Sequence, residues 1–315
     1  MGKTTEKPKI LFMGTPEFAV PTLAELVKNN YPLCGVVTQP DRPKGRGREL
    51  SPPPVKIFAL EHHLPLFQPE RVGIADFLQV LQELSPEIIV TAAFGQILPK
   101  EVLHIPKLHA INVHPSLLPH YRGPAPIHRA IINGEEKTGV TILYMTEELD
   151  AGDIILQEET IIGPEETYDD LNERLAKMGA SLLIKAVEAI VQGTAPRIPQ
   201  NNTAATYAPK ITKGETLIHW EKKVKDIINL IRGLSSQPGA HTYLRGKLLK
   251  IFSARGEETS HREKPGTVIL RTGKMAVAAA DGYVYPIEVQ PENRKKMVSE
   301  DFLRGLRDVD RLVLG

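Results

Sequence analysis

Short apolar runs alternate with amphipathic stretches along the first 190 residues of the chain. The runs are rich in β-branched residues, and the stretches between them often begin with proline, whose missing N–H costs nothing in the first turn of a helix. Such alternation is typical of a parallel sheet with crossover helices, so we expect a Rossmann-like α/β domain. The predicted strands are Ile10–Met13, Cys34–Thr38, Leu66–Gln68, Ile88–Ala92, Ala110–His114, Val140–Tyr144 and Ile154–Glu158. Helices are predicted to begin near Pro16, Pro54, Ile74, Pro99, Pro124 and Thr167.

The pattern changes after residue 193. Thr194–Asn202 interrupts the helical spacing with prolines and polar residues, and a helix is predicted beyond it at Val224–Leu234. Five short β-like runs separated by Gly-containing turns then fit a small OB-like β-barrel. These runs are His241–Leu244, Leu248–Phe252, Gly266–Leu270, Met275–Ala279 and Tyr283–Val289. We therefore predict a Rossmann-like domain over residues 1–193, a linker over 194–209 and an OB-like domain over 210–315.

Composition agrees with two domains, because 315 residues with 41% hydrophobic content can form two ordinary cores. The single cysteine, Cys34, excludes an internal disulfide and a cysteine-based zinc site, and we expect no metal. The first residues are polar, and no apolar run approaches the roughly 18 residues of a membrane span. We therefore expect a cytoplasmic protein without a membrane partner.

Charge is distributed unevenly along the chain. From Tyr207 to the end, 20 Lys and Arg stand against 13 Asp and Glu, a balance of +7, whereas the remainder has 19 against 25, a balance of −6. A basic C-terminal module could bind phosphates. The alternative is a solvated charged surface that has no partner.

The strand predicted at Ala110–His114 carries the candidate chemistry. Side chains alternate faces along a strand, so Asn112 and His114 share one face. Pro115 cannot donate to a sheet ladder and favours an extended His114, so the strand should end there and open into a loop. Ligands bind at the carboxyl ends of strands in open α/β sheets, which makes these two polar residues candidates for a site.

The pattern N-x-H-x-S-L-L-P, followed by L-D-x-G-D at Leu149–Asp153, resembles the folate-dependent formyltransferases. Further stretches resemble the members that act on an aminoacyl-tRNA: Lys9–Ala19, Thr38–Leu50, Ala92–Pro99 and Arg122–Ile127. The resemblance implies transfer of formyl from 10-formyltetrahydrofolate to the amino group of methionyl initiator tRNA. It implies no metal and no protein partner.

Formyl transfer suits the polar strand face, because an amine attacks a formyl carbon to give an oxyanion and an ammonium. Asn112 can donate to the oxyanion, and His114 can move a proton or donate a hydrogen bond. The resemblance implies Asp150, the first aspartate of L-D-x-G-D, as the catalytic carboxylate. Asp153 competes for this role, and we expect it to support the loop instead.

The folate pocket and the tRNA-binding loop follow from the same resemblance. Arg42, Lys44, Arg46 and Arg48 lie on a glycine-punctuated segment that could bind phosphates or base edges, or could be a solvated connector. The backbone of Glu147–Asp150 is implied to line the pterin. The other implied folate-binding residues are Ser116, Leu117, Leu118, Pro119, Gln96, Ile97 and Leu98. The four leucine and isoleucine side chains of this set could instead cap the core.

Other chemistry lacks support, since the sequence has no H-E-x-x-H, paired-cysteine, G-x-S-x-G or P-loop motif. Two alternatives stay open. One is a formyl-folate hydrolase or a formyltransferase for a small amine, which would use the same three catalytic residues. The other is a non-catalytic RNA-binding protein that retains the fold.

Overall fold

The computed structural model describes residues 7–44, 49–306 and 312–315. The chain divides into two compact units. The first comprises the described residues up to Pro126 together with Lys137–Thr160 and Asn172–Pro209. The second comprises Ile127–Glu136, Ile161–Leu171 and the described residues from Lys210 onward. The predicted linker over 194–209 therefore lies within the first unit, and the second unit takes in two short segments that precede the linker along the chain.

The strands and helices follow the predicted order in both units. The strands are β1 Ile10–Gly14, β2 Leu33–Val37, β3 Arg42–Lys44, β4 Glu49–Ser51, β5 Leu66–Phe67, β6 Ile88–Ala92, β7 Ala110–His114, β8 Lys137–Tyr144, β9 Ile154–Ile161, β10 Ala240–Leu244, β11 Lys247–Glu258, β12 Val268–Arg271, β13 Lys274–Ala278, β14 Gly282–Pro291 and β15 Met297–Val298. The helices are α1 Val20–Lys28, α2 Pro54–Glu61, α3 Ala75–Leu84, α4 Lys100–Leu103, α5 Pro126–Ile132, α6 Tyr168–Val191, α7 Val224–Gly233 and α8 Ser299–Arg304.

A seven-stranded sheet organises the first unit, in the order β5-β2-β1-β6-β7-β8-β9. The strands from β5 to β7 pair in parallel, and β8 pairs antiparallel with β7. Every residue of β1 and β6 is buried, as expected for strands covered on both faces. This confirms the predicted Rossmann-like, mostly parallel sheet.

Close packing holds β7 between its neighbours. A Cβ atom added to Gly179 of α6 would lie 2.7 Å from Val113 Cγ1, so the helix backbone approaches the strand as only glycine allows. Within the sheet, β6 pairs with β7, and Thr91 aligns with Asn112. The strand that carries the candidate chemistry is therefore held from a helix and from a neighbouring strand.

The basic segment after β2 differs from the predicted loop, because its ends form a short antiparallel pair. β3 pairs with β4 through Arg42↔Ser51 and Pro43↔Leu50. Asp41 precedes β3 and accepts hydrogen bonds from Gln68 Nε2 at 2.9 Å and Lys56 Nζ at 2.8 Å. These bonds, the one from Gln68 first, lower the pKa of the Asp41 carboxyl below its ordinary value. The hydrogen bonds to Asp41 anchor the start of β3, which explains why the two strands form where the sequence has little apolar periodicity. Residues 45–48, including Arg46 and Arg48, lie outside the described residues.

An antiparallel sheet organises the second unit, in the order β10-β11-β14-β13-β12, and β15 pairs with β14. Side chains from this sheet, from α7 and from the segment before α7 form one apolar cluster that includes Trp220, Ile231 and Val277. The indole Nε1 of Trp220 donates to Thr242 Oγ1 at 3.1 Å, so its buried polar atom is satisfied. This small β domain after α7 is the C-terminal domain that the sequence predicts. The sequence does not predict β15 and α8, because Met297–Arg304 is short and mixes four apolar with four polar residues.

The pair formed by Arg129 and Glu215 joins α5 to the loop before Trp220 within the second unit. Arg129 Nη1 lies 2.5 Å from Glu215 Oε1, and the backbone N–H of Thr212 donates to Glu215 Oε2 at 2.9 Å. The hydrogen bond from Arg129, followed by those from Thr212, lowers the pKa of Glu215 from 4.5 to about 2. A carboxyl with a depressed pKa in the folded state stabilises the protein while ionised, and this contribution disappears as pH falls through the folded pKa.

We expect Glu215→Gln to lower the melting temperature at neutral pH. The free energy of unfolding should fall by no more than about 1 kcal/mol, because the side chain is partly exposed. The difference in melting temperature between the variant and the wild type should become smaller as the pH falls from 4.5 toward about 2, because Glu215 of the wild type becomes protonated over this range. Thermal unfolding followed by circular dichroism over this range tests the prediction, with exposed Glu292→Gln as the matched control. A difference independent of pH would show that charge is not the cause.

No helix in the described part of the chain is long and apolar enough to cross a lipid bilayer.

Candidate active site

Asn112 lies in the middle of β7, two residues before its carboxyl end, and has a defined orientation. Thr91 Oγ1 lies 2.8 Å from Asn112 Oδ1 and donates to it, so the amide oxygen faces Thr91. The amide nitrogen therefore points the other way, where its Nδ2 atom lies 3.4 Å from Asp150 Oδ1. Because Thr91 holds the carbonyl side, Asn112 presents N–H donors toward the candidate site.

His114 is buried at the end of the same strand, with an exposed fraction of 4%. Its Nε2 atom lies 3.0 Å from the backbone oxygen of Tyr121. A carbonyl oxygen can only accept, so Nε2 carries a proton and donates. The other ring nitrogen, Nδ1, lies 3.6 Å from Asp150 Oδ2. Nδ1 is therefore the position at which the ring can take up or release a second proton beside a carboxylate.

Asp150 reaches these two side chains from the loop between β8 and β9. Its backbone has a φ of 51°, in the left-handed region that is uncommon for a residue other than glycine. The backbone N–H of Gly123 donates to Asp150 Oδ2 at 2.8 Å. Two residues later the chain needs a glycine, because a Cβ atom on Gly152 would lie 1.9 Å from the backbone oxygen of Tyr144. Loop geometry thus places a largely buried carboxylate against Asn112 and His114.

The three side chains together can support addition of an amine to a carbonyl carbon. Asn112 offers a neutral N–H donor for a developing oxyanion. His114 and Asp150 form an imidazole–carboxylate pair that can hold or move a proton. Their separations, 3.4 and 3.6 Å, are longer than ideal hydrogen bonds, as is common before substrate binds. The described residues contain no group of three or more His, Cys, Asp or Glu placed to hold a metal ion.

Comparisons with known proteins show the family to which the chain belongs. A family model described as "Formyl transferase" matches residues 8–187, and one described as "Formyl transferase, C-terminal domain" matches residues 210–307. The methionyl-tRNA formyltransferase of Syntrophus aciditrophicus is 54% identical over 310 residues, which cover 98% of this chain and 99% of that protein. The chain belongs to the methionyl-tRNA formyltransferase family.

Solved structures at lower identity support the fold of this methionyl-tRNA formyltransferase family member. The crystal structure of HypX from Aquifex aeolicus in complex with tetrahydrofolic acid superposes with a TM-score of 0.67 at 21% identity. That match covers 95% of this chain but 47% of the HypX chain, so this chain spans about half of that structure. WlaRD, described as a sugar 3N-formyl transferase, gives a TM-score of 0.66 at 21% identity, covering 92% of this chain and 100% of WlaRD.

The residues predicted to bind folate fall into two groups. Leu98 and Leu118 are buried in apolar clusters, so they do contribute to the core. Ile97, by contrast, is 77% exposed. The polar members brace loops: Ser116 Oγ donates to the backbone oxygen of His120 at 2.6 Å, and Gln96 Oε1 accepts from the backbone N–H of Val72 at 3.0 Å. A role of Ser116, Leu117, Leu118, Pro119, Gln96, Ile97 and Leu98 in folate binding stays a prediction.

The residues predicted to bind tRNA are described only in part. Arg42 Nη2 lies 3.2 Å from Glu70 Oε2, and both side chains are largely exposed. An exposed pair of this kind is weak, so the guanidinium can exchange its partner for a phosphate. Lys44 lies at the end of β3. Binding of tRNA by Arg42, Lys44, Arg46 and Arg48 therefore stays a prediction.

Sequence reasoning missed the groups that orient the three catalytic candidates. Thr91 holds Asn112, the backbone oxygen of Tyr121 orients the His114 ring, and the backbone N–H of Gly123 holds Asp150. One signal was available, since Thr91 is the polar residue in the apolar run Ile88–Ala92. The two backbone contacts have no signal in side-chain patterns.

Proposed function

We propose that this chain transfers the formyl group of 10-formyltetrahydrofolate to the amino group of methionyl initiator tRNA. The observation that carries the proposal is the convergence of Asn112, His114 and Asp150 in a chain of the methionyl-tRNA formyltransferase family. Since initiator tRNA is used by ribosomes, we also propose that the protein works in the cytoplasm.

Each of the three residues has a role in the transfer. The amino nitrogen attacks the formyl carbon, and the carbonyl oxygen becomes an oxyanion that accepts from Asn112 Nδ2. The ammonium proton passes to the His114–Asp150 pair, directly or through water. The bond from the formyl carbon to the folate nitrogen then breaks, and that nitrogen takes up a proton, so atoms and charge balance. No covalent bond to the protein forms.

Two features beside this centre support the proposal of a folate site there. Ile97 and Leu149 expose 77% and 53% of their surface. Ile97 follows the carboxyl end of β6, and Leu149 lies next to Asp150 in the loop between β8 and β9. Lys100 Nζ lies 3.9 Å from Glu147 Oε1, which brings the helix after Ile97 next to the loop that carries Leu149. A pterin ring needs apolar walls together with backbone donors and acceptors, and two adjoining loops can supply both.

Formyl transfer to the proposed acceptor is directly measurable. Purified protein is incubated with 10-formyltetrahydrofolate carrying a labelled formyl group and with methionyl initiator tRNA, free methionine or water alone. We expect label on methionyl-tRNA and little on free methionine. Label released to water would indicate a formyl-folate hydrolase, label on free methionine a small-amine formyltransferase, and tRNA binding without transfer a non-catalytic RNA-binding protein.

Phosphate contacts by the basic segment predict a salt-dependent use of tRNA. We expect Arg46→Ala to lower kcat/KM for methionyl-tRNA and to reduce the slope of log(kcat/KM) against log[salt] by about one, because one phosphate contact is lost. Folate affinity, followed by fluorescence, should stay unchanged. Lys177→Ala, at an exposed position of α6, is the matched control. An unchanged salt slope in Arg46→Ala would make the segment a solvated connector.

A further inference from the structure

Gln200 uses its whole side-chain amide to join two parts of the first unit. Its Nε2 atom donates to the backbone oxygen of Asp150 at 2.8 Å and to that of Gly152 at 2.7 Å. Its Oε1 atom accepts from Arg122 Nε at 3.0 Å and from Arg122 Nη2 at 2.7 Å. Carbonyls only accept and a guanidinium only donates, so these partners define which side of the amide is oxygen.

The bonds to the two carbonyl oxygens act on the loop that presents Asp150. Asp150 has a φ of 51°, which is unfavourable for its side chain and persists only where surrounding contacts hold it. Gln200 Nε2 binds the carbonyl oxygens of Asp150 and Gly152, and so holds the Asp150–Ala151 and Gly152–Asp153 peptide groups. Loss of these bonds would let the turn relax and move the Asp150 carboxylate.

Arg122 supports the same arrangement from the other side. It is buried, with an exposed fraction of 4%, and its Nη2 atom also donates to Asn202 Oδ1 at 2.7 Å. The next residue, Gly123, donates its backbone N–H to the Asp150 carboxylate. Gly123 has a φ of 117°, and a Cβ atom there would lie 3.0 Å from the backbone oxygen of Ala208, so glycine is required. Arg122 thus holds the Asp150 backbone by way of Gln200. Gly123 holds the Asp150 carboxylate directly.

We propose that Gln200 is a positioning residue for formyl transfer, which sets the Asp150 carboxylate against His114 and Asn112 through its hydrogen bonds to Arg122 and to the Asp150 loop. This role rests on the proposed function. Gln200 acts through Asp150 and binds neither substrate.

Two variants test the oxygen and the nitrogen of the Gln200 side-chain amide. Gln200→Leu removes all four hydrogen bonds. Gln200→Glu keeps oxygen acceptors for Arg122 but sets an oxygen against the carbonyl oxygens of Asp150 and Gly152. We expect both to lower kcat by roughly tenfold to a hundredfold, since a displacement of about 1 Å can have this effect, with smaller changes in KM for folate and tRNA. The dependence of kcat on pH should also change in both.

Gln192→Leu, which makes the same change at an exposed glutamine of the first unit, is the control for chemistry and stability. Activities are expressed per mole of folded protein, measured by circular dichroism and folate binding. Wild-type kcat in folded Gln200→Leu, or in Gln200→Glu if the leucine variant does not fold, would overturn the positioning role and leave the proposed function intact. Absence of transfer by the wild type would overturn the proposed function, and with it the role that rests on it.

Discussion

Replacing His114 or Asn112 by alanine is expected to lower kcat by roughly two orders of magnitude or more while the protein stays folded. The two losses have different causes. Asn112→Ala removes the N–H donor that Thr91 aims at the reacting oxygen, and one such donor contributes ~3 kcal/mol to transition-state stabilisation. His114→Ala removes Nδ1, the ring atom beside Asp150 that can accept the amine proton.

Steady-state kinetics at saturating folate and methionyl-tRNA measure these losses. His114 is buried, so its replacement leaves a cavity, and circular dichroism with thermal unfolding must accompany the kinetics. His104→Ala, at an exposed histidine of the same unit, controls for the substitution itself. Turnover near the wild-type value in a folded His114 or Asn112 variant would refute the assigned role of that residue.

The shared strand face of Asn112 and His114 could be predicted from sequence because its causes are local. The strand has the predicted bounds, Ala110–His114, since alternation and the proline that follows both act within a few residues. The same holds for Ile88–Ala92, an apolar run with no competing helical pattern. Where the determinants of an element lie inside it, the sequence is sufficient.

The position of Asp150 depends on contacts that sequence patterns do not contain. The backbone oxygen of Asp150 accepts a hydrogen bond from Gln200, which is 50 residues away along the chain, and its carboxylate accepts one from the backbone N–H of Gly123. Only the family motif indicated that this aspartate joins the strand residues. Gln200 itself lies in a stretch without apolar periodicity, and this is why the stretch was predicted to be a linker. Its structure comes from polar bonds to distant residues.

The two aspartates of the loop, Asp150 and Asp153, differ in the groups that their carboxylates face. Both oxygens of the Asp150 carboxylate face donors, Gly123 N–H at Oδ2 and Asn112 Nδ2 at Oδ1. An asparagine at this position must direct its own NH2 group against one of these donors, whichever way the amide turns. Asp153 differs, because its carboxylate lies 3.8 Å from Arg197 Nη1 and its backbone oxygen accepts from Tyr144 N–H, a bond that asparagine preserves.

We therefore expect Asp150→Asn to lower kcat by about two orders of magnitude or more, within the range that proton-transfer groups contribute, and Asp153→Asn to change it only a few-fold. The remaining activity of Asp150→Asn should show an altered dependence on pH between about 5 and 8, because the variant lacks the carboxylate that faces His114 Nδ1. Kinetics across this range, with folate binding and circular dichroism as controls, provide the comparison. A severe loss in Asp153→Asn beside a mild one in Asp150→Asn would reverse the assignment, and the carboxylate that faces His114 would then serve only to hold Gly123.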